Sequence, residues 1–286
     1  MKNLSIISGK GGTGKTSLVA CFAALTDYKA VLVDGDVDAA NLGLILKPAP
    51  VFEGEFRASR VAVIDEESCN SCGLCRELCR FEAISGDYNV DPVSCEGCGF
   101  CYLACPCEAV NMKESLSGHW YISETPYGTL VHARLKIAEE NSGKLVTRIR
   151  NKGRELAIAD HKDYLITDGP PGIGCPVIAA LSGVDAALIV TEPTISGIHD
   201  LERVFAVCRH FGVKAAVCIN RFDLEETQAA VIEEFCRKEG IAVAGRISYD
   251  RAFVEAMIRG VPVVEYKNGL VSEQIREVWE FFSSFG

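Results

Sequence analysis

At 286 residues and 48% hydrophobic content, the chain is long enough for one large or two ordinary domains with a sizeable buried core. Its formal net charge of −10 argues against non-specific nucleic-acid binding, which needs clustered Lys and Arg. No run approaches the roughly 18 apolar residues of a membrane span, and Met1-Lys2-Asn3 leads straight into an apolar segment without a signal peptide. Nucleic-acid partners and stable membrane insertion are therefore not expected, and a cytoplasmic location is.

The first predicted strand is Leu4-Ser5-Ile6-Ile7-Ser8, and residues 17–25 predict a helix. Between them lies Gly9-Lys10-Gly11-Gly12-Thr13-Gly14-Lys15-Thr16. Strand, glycine-rich turn and helix together form the context of a phosphate-binding loop. Glycines let successive backbone N–H groups turn inward toward an anion, and the following helix presents its positive end to the same point. Candidate nucleotide-binding residues are Gly11, Gly12, Thr13, Gly14, Lys15, Thr16 and Ser17. Lys15 is placed to reach the β- and γ-phosphates, and the Thr16 hydroxyl to ligate Mg²⁺.

Ala30–Asp34 reads as a second buried strand, running into Asp34-Gly35-Asp36-Val37-Asp38. Carboxylates at the C-terminal end of a parallel strand lie at the ligand crevice of such sheets. Residues 43–60, with Pro48, Pro50 and Gly54, read as a connector. The composition then changes. Of fourteen cysteines, nine fall between Cys69 and Cys107. Cys69, Cys72, Cys75 and Cys79 recur 26 residues later as Cys95, Cys98, Cys101 and Cys105, and Asp65/Asp91, Ser68/Ser94, Gly73/Gly99 and Glu82/Glu108 follow the same step. This is an internal duplication of C-x2-C-x2-C-x3-C, an iron–sulfur ligand spacing. Four-cysteine zinc sites fit a three-plus-one duplication poorly. Cys107 falls where the first repeat has Phe81, which marks it as a packing residue.

Residues 119–123 and 130–134 read as strands, 142–144 as a loop and 144–159 as a helix. Residues 164–168 form the next buried strand, ending in Asp168-Gly169-Pro170-Pro171-Gly172. Cys175 reads as a small buried hydrophobe, with a redox-sensitive thiol near the nucleotide as the alternative. Three further strand–helix units follow: 186–191 with 198–211, 215–219 with 224–239, and 241–245 with 251–259. The final helix, near 272–285, is apolar on one face but not basic, which predicts packing rather than membrane binding. Cys21, Cys208, Cys218 and Cys236 lie in apolar patterns and read as core. The alternation predicts an α/β fold: a doubly wound, mostly parallel sheet.

Lys10, directly after the first glycine of the loop, makes the segment resemble the deviant phosphate loop of the MinD/ParA/nitrogenase-iron-protein group of P-loop ATPases. The resemblance implies that Lys10 reaches a partner subunit's nucleotide. It implies that Asp36 orients the attacking water or the metal's water shell, with Asp34 behind it, and that Asp168 holds a Mg²⁺-bound water. It makes Gly172 a γ-phosphate sensor and places Asn220 and Arg221 at the adenine. Asn220-Arg221-Phe222-Asp223 also resembles a guanine-specific motif, which leaves GTP open. The cysteine segment resembles two-cluster bacterial ferredoxins, which implies one [4Fe–4S] cluster on Cys69, Cys72, Cys75 and Cys105. The second is implied on Cys95, Cys98, Cys101 and Cys79. Arg80 departs from that pattern, where a proline like Pro106 is usual.

Together these resemblances imply a P-loop ATPase domain of residues 1–58 and 115–286, interrupted by a small α+β ferredoxin-like domain of residues 59–114. The implied activity is ATP hydrolysis in a homodimer or a heterodimer with a related ATPase. Closure of the dimer would control electron transfer through the clusters to a redox partner. The alternatives are a maturation ATPase for iron–sulfur or metal centres, with its own partner, and a positioning ATPase with a redox-sensing insert.

Overall fold

The computed structural model describes residues 1–136 and 142–285. The chain divides into two compact units. The first comprises Met1–Gly54, Trp120–Arg134 and Ser142 onward; the second comprises Glu55–His119 and, of the described residues, Leu135 and Lys136.

In chain order the elements are β1 (Lys2–Ser8), α1 (Lys15–Leu25), β2 (Ala30–Asp34), α2 (Leu42–Leu46), β3 (Ala49–Ile64), α3 (Leu74–Glu77), α4 (Phe100–Ala104), β4 (Val110–Thr125) and β5 (Gly128–Leu135). Then come α5 (Ser142–Ala159), β6 (Tyr164–Pro171), α6 (Cys175–Leu181), β7 (Ala186–Thr191), α7 (Ile195–His210) and β8 (Lys214–Asn220). A 3₁₀ turn at Phe222–Leu224 precedes α8 (Glu226–Glu239), β9 (Ala242–Ile247), α9 (Ala252–Arg259), α10 (Val263–Tyr266) and α11 (Leu270–Ser284).

The strand order is β3-β4-β5-β2-β6-β1-β7-β8-β9. β1 pairs parallel with β6 and β7, β2 with β5 and β6, and β8 with β7 and β9. Parallel strands must be covered on both faces, and their alternating side chains divide accordingly. Leu4 and Ile6 of β1, Leu188 of β7 and Cys218 of β8 pack with Phe22, Ile275 and Phe282 on one face. Ile7, Ile189 and Ile219 pack with Val177, Val204 and Ile232 on the other. Helix α11 buries Ile275, Val278, Trp279 and Phe282, with the Trp279 ring tilted against Phe22 at a centroid distance of 5.1 Å. That is the packed helix expected of its composition. Cys21, Cys208, Cys218 and Cys236 are core residues, their thiols pushed up to about 11–12 by burial.

Three local expectations are corrected. Residues 43–60 are not a connector: they hold α2 and the start of β3. Proline and glycine read as breakers, yet β3 is an edge strand, where Pro50 is tolerated. Gly54 is small because the Trp120 indole lies where a Cβ would stand. Residues 142–144 are the first turn of α5 rather than a loop. Cys175 is exposed at the start of α6, not buried. Apolar neighbours along the chain do not reveal which way a helix's first residue faces.

In the second unit the duplicated sequence takes a duplicated backbone. Ser68 donates to Asp65 and Ser94 to Asp91, each at 2.6 Å. Gly73 and Gly99 both take positive φ, +82° and +74°, to open α3 and α4. The repeats also exchange bonds: Asp65 N–H donates to Ala109 and Asp91 N–H to Ala83, each at 2.8 Å. Each repeat therefore completes itself on the other.

Candidate functional site

The loop after β1 leaves the sheet beside β6 and β7. Gly12 and Gly14 take φ of +81° and +91°, a left-handed turn disfavoured for residues with a Cβ. A Cβ on Gly14 would also stand 2.5 Å from the Asn220 amide nitrogen. Gly11 and Gly12 are exposed, with open space on their Cβ side, whereas Lys15 and Thr13 are buried. No side chain caps α1, so the first N–H groups of the helix are free to face an anion.

Three carboxylates converge on this loop. Asp34 and Asp168 end neighbouring strands in register. Asp34 accepts the N–H of Leu42 at 3.2 Å and of Asp36 at 3.3 Å, which ties the following loop to the strand end. Burial, with Asp168 beside it, holds the Asp34 carboxyl well above the usual range. Burial also raises Asp36, partly opposed by Lys15 and reinforced by the exposed Asp38. Asp168 is pushed up to about 6 by burial, against the pull of Lys15 and Thr16. Both of its carboxylate oxygens are buried without completing a hydrogen bond. Lys15, Thr16, Asp36 and Asp168, predicted from three separate segments, are thus brought together.

Other predicted residues are already engaged within the chain. Gly172 N–H donates to Ser8 at 2.9 Å, joining the turn after β6 to the loop strand. Asn220 Nδ2 donates to the Thr13 carbonyl at 2.8 Å, pinning β8 beneath the loop. Arg221 pairs with Glu192. Lys10 Nζ lies 3.4 Å from the same carboxylate and 3.2 Å from Thr194 Oγ1. Asp223 Oδ1 accepts the N–H of Tyr249 at 2.7 Å. Glu192 and Thr194 follow β7 in a segment with no motif, so the sequence held no signal for them.

In the second unit the cysteines stand around two open cavities. One is lined by Cys69, Cys72, Cys75 and Cys105; Cys107 is also on its wall. The other is lined by Cys95, Cys98, Cys101 and Cys79, with Phe81 where the first has Cys107. Cys107 Sγ lies 3.7 Å from Cys105 Sγ. Burial raises the Cys75 and Cys101 thiols, and the neighbouring thiols of the same wall add to it. Among the described residues no three His, Cys, Asp or Glu side chains form a group that holds a metal ion.

Residues 4–263 match the CobQ/CobB/MinD/ParA nucleotide binding domain. The chain belongs to this family. It is a P-loop ATPase of the MinD/ParA type. An uncharacterized protein of Methanocaldococcus jannaschii is 32% identical over 99% of this chain and 96% of its own length. The septum site-determining protein MinD of Neisseria meningitidis is 25% identical over 97% of this chain and 89% of its own. The fold is shared with MinD from Pyrococcus horikoshii in complex with Mg-ADP, at a TM-score of 0.60 and 19% identity, covering 98% of this chain and 94% of that one. Mg²⁺ and ATP suit this ATPase: buried, unpartnered Asp168 oxygens and crowded carboxylates beside Lys15 and Thr16 are the environment a divalent cation relieves. No helix among the described residues is long and apolar enough to cross a membrane.

Proposed function

We propose that this ATPase hydrolyses ATP in a dimer and that its second unit holds two [4Fe–4S] clusters, so that nucleotide state governs electron delivery to a redox partner. The observation that carries the cluster assignment is the composition of the two cavity walls. Each has three cysteines of one repeat and the fourth cysteine of the other. A cubane spreads its four thiolates around a cage, whereas a single ion gathers them to a point. Thiols spread along a cavity wall suit the former. Residues 59–114 would form this ferredoxin-like domain, and residues 1–58 and 115–286 the ATPase domain. Bound there, each cluster supplies a one-electron couple.

At the nucleotide, the N–H groups of the loop and α1 cradle the phosphates, and Lys15 meets the β- and γ-phosphates. Thr16, and Asp168 through a water, would hold Mg²⁺, which would neutralise charge developing on the phosphates. Asp36 orients the attacking water, and Asp34 orients the Asp36 loop. Lys10 adds its charge across the dimer. Asn220 and Arg221 sit on the base side, where Asp223 is occupied by Tyr249 N–H.

Similarity to septum site-determining proteins over nearly the whole chain favours a second reading, a positioning ATPase whose cysteine unit senses redox state. One experiment separates them: anaerobic purification with iron and sulfide counting, then potentiometric titration with and without Mg-ATP. The expected result is about eight irons and eight sulfides per chain, with potentials that move on adding nucleotide. A chain without iron rules out the cluster assignment. Two clusters whose potentials ignore nucleotide, with hydrolysis stimulated by lipid or DNA, establish the positioning reading instead.

A further inference from the structure

Glu192 lies just beyond β7, the strand that pairs with the phosphate-loop strand β1. Its carboxylate pairs with two cations, one from the phosphate loop and one from the segment after β8. Lys10 Nζ lies 3.4 Å from Oε2, and Arg221 pairs with Oε1. The Glu192 side chain is only 12% exposed, against 30% for Lys10. Lys10 Nζ is also 3.2 Å from Thr194 Oγ1 and 3.4 Å from Ser196 Oγ. The mount is stiff: Thr194 caps α7 by accepting the Gly197 N–H at 3.0 Å. Gly9 lies against Asp200 of the same helix so closely that a Cβ would overlap it.

We infer that Glu192 is a positioning residue for Lys10: it clasps the lysine against its own subunit, and pairing of two chains on Mg-ATP requires the clasp to open. The inference rests on the reading that Lys10 serves the partner's nucleotide. A lysine cannot stay on Glu192 and also turn outward to a phosphate of another chain. Opening exchanges one charge-assisted contact for another, so Glu192 sets the threshold for pairing rather than the chemistry. A partly exposed pair of this kind contributes modestly, about threefold in an equilibrium. A dimer opens two clasps, so removing both carboxylate charges should change its association about tenfold.

The test is ATPase rate and sedimentation against protein concentration at saturating Mg-ATP. The chains compared are the unmodified protein, Glu192→Gln, Lys10→Ala and the double variant. Glu192→Gln should reach half-maximal rate at about tenfold lower protein concentration, while the double variant should behave as Lys10→Ala does. Glu192→Asp keeps the charge but withdraws it by one methylene, so it should shift the midpoint the same way by less. It carries the test if the glutamine variant folds poorly by circular dichroism. If Lys10→Ala leaves the concentration dependence unaltered, the cross-dimer role of Lys10 is wrong. If Lys10→Ala weakens pairing but neither Glu192 variant moves the midpoint, the clasp is wrong. A changed nucleotide affinity of dilute monomer on Glu192→Gln, persisting in the Lys10→Ala background, would place Glu192's effect at Arg221 and also overturn it.

Discussion

In the first unit Lys15 and Asp168 are held by a sheet whose two faces each carry a large apolar cluster. In the second, the buried cluster is Ala62, Ile84 and Val110 with Cys75, and Cys79, Cys95, Cys101 and Cys105 pack against it. The thiols there are themselves much of the core. The first unit can lose a functional side chain and keep its fold, because backbone geometry and apolar burial hold the loop in place. A small unit with so little apolar interior would depend for its fold on the clusters proposed for its cysteines. Removing a functional side chain there should remove structure as well.

The largest expected effect sits in the first unit and should leave the second untouched. Lys15→Ala should lower the hydrolysis rate by about two orders of magnitude or more, the scale of losing one electrostatic donor to a transition state, with iron content unchanged. Residual hydrolysis near the unmodified rate would displace the site from this loop.

Next is a cysteine variant that crosses the repeats. Cys79→Ser should halve the iron count and destabilise the second unit, by several kcal/mol on the scale of metal-coupled folding. Because Cys79 lines the cavity of the second repeat, its spectrum should match that of Cys95→Ser, not of Cys69→Ser. Hydrolysis should persist, because every residue predicted for the nucleotide site belongs to the first unit. Loss of the first repeat's cluster instead would break the crossed assignment.

The smallest effect concerns Asp168. Its folded pKa of about 6 lies above the ordinary 3.8, so the folded chain holds the proton more tightly than the unfolded one. Without Mg²⁺, stability should therefore fall as pH rises from about 4 to about 6, and level off above, by a decline on the order of 3 kcal/mol. Asp168→Asn should reduce that decline, with Asp34 keeping its own share, and raise the metal-free melting midpoint at pH 7 by a few degrees. Calorimetry across this pH range checks it; an unchanged slope means that the charge of Asp168 is compensated elsewhere in the chain.

Much of this comparison was legible in the linear chain. The loop of residues 9–16 announces itself because its glycines, lysine and threonine act through local backbone geometry between a strand and a helix. The parallel core strands announce themselves as short apolar runs. Legibility failed where a residue's meaning depended on what lies opposite it. Pro50 and Gly54 resemble breakers until β3 is placed at the sheet edge and Trp120 against Gly54. Cys175 resembles its apolar neighbours, yet its side chain begins α6 at the surface.

The sequence by itself determined the phosphate loop, the α/β alternation and the duplicated cysteine spacing, because each is written in short-range order. Tertiary structure decided which groups share a charge environment. Asp34 and Asp168 stand side by side because β2 and β6 pair in register, 134 positions apart. Glu192 meets both Lys10 and Arg221 because β7 lies between β1 and β8. Electrostatic coupling acts through space, and only the folded chain sets those distances.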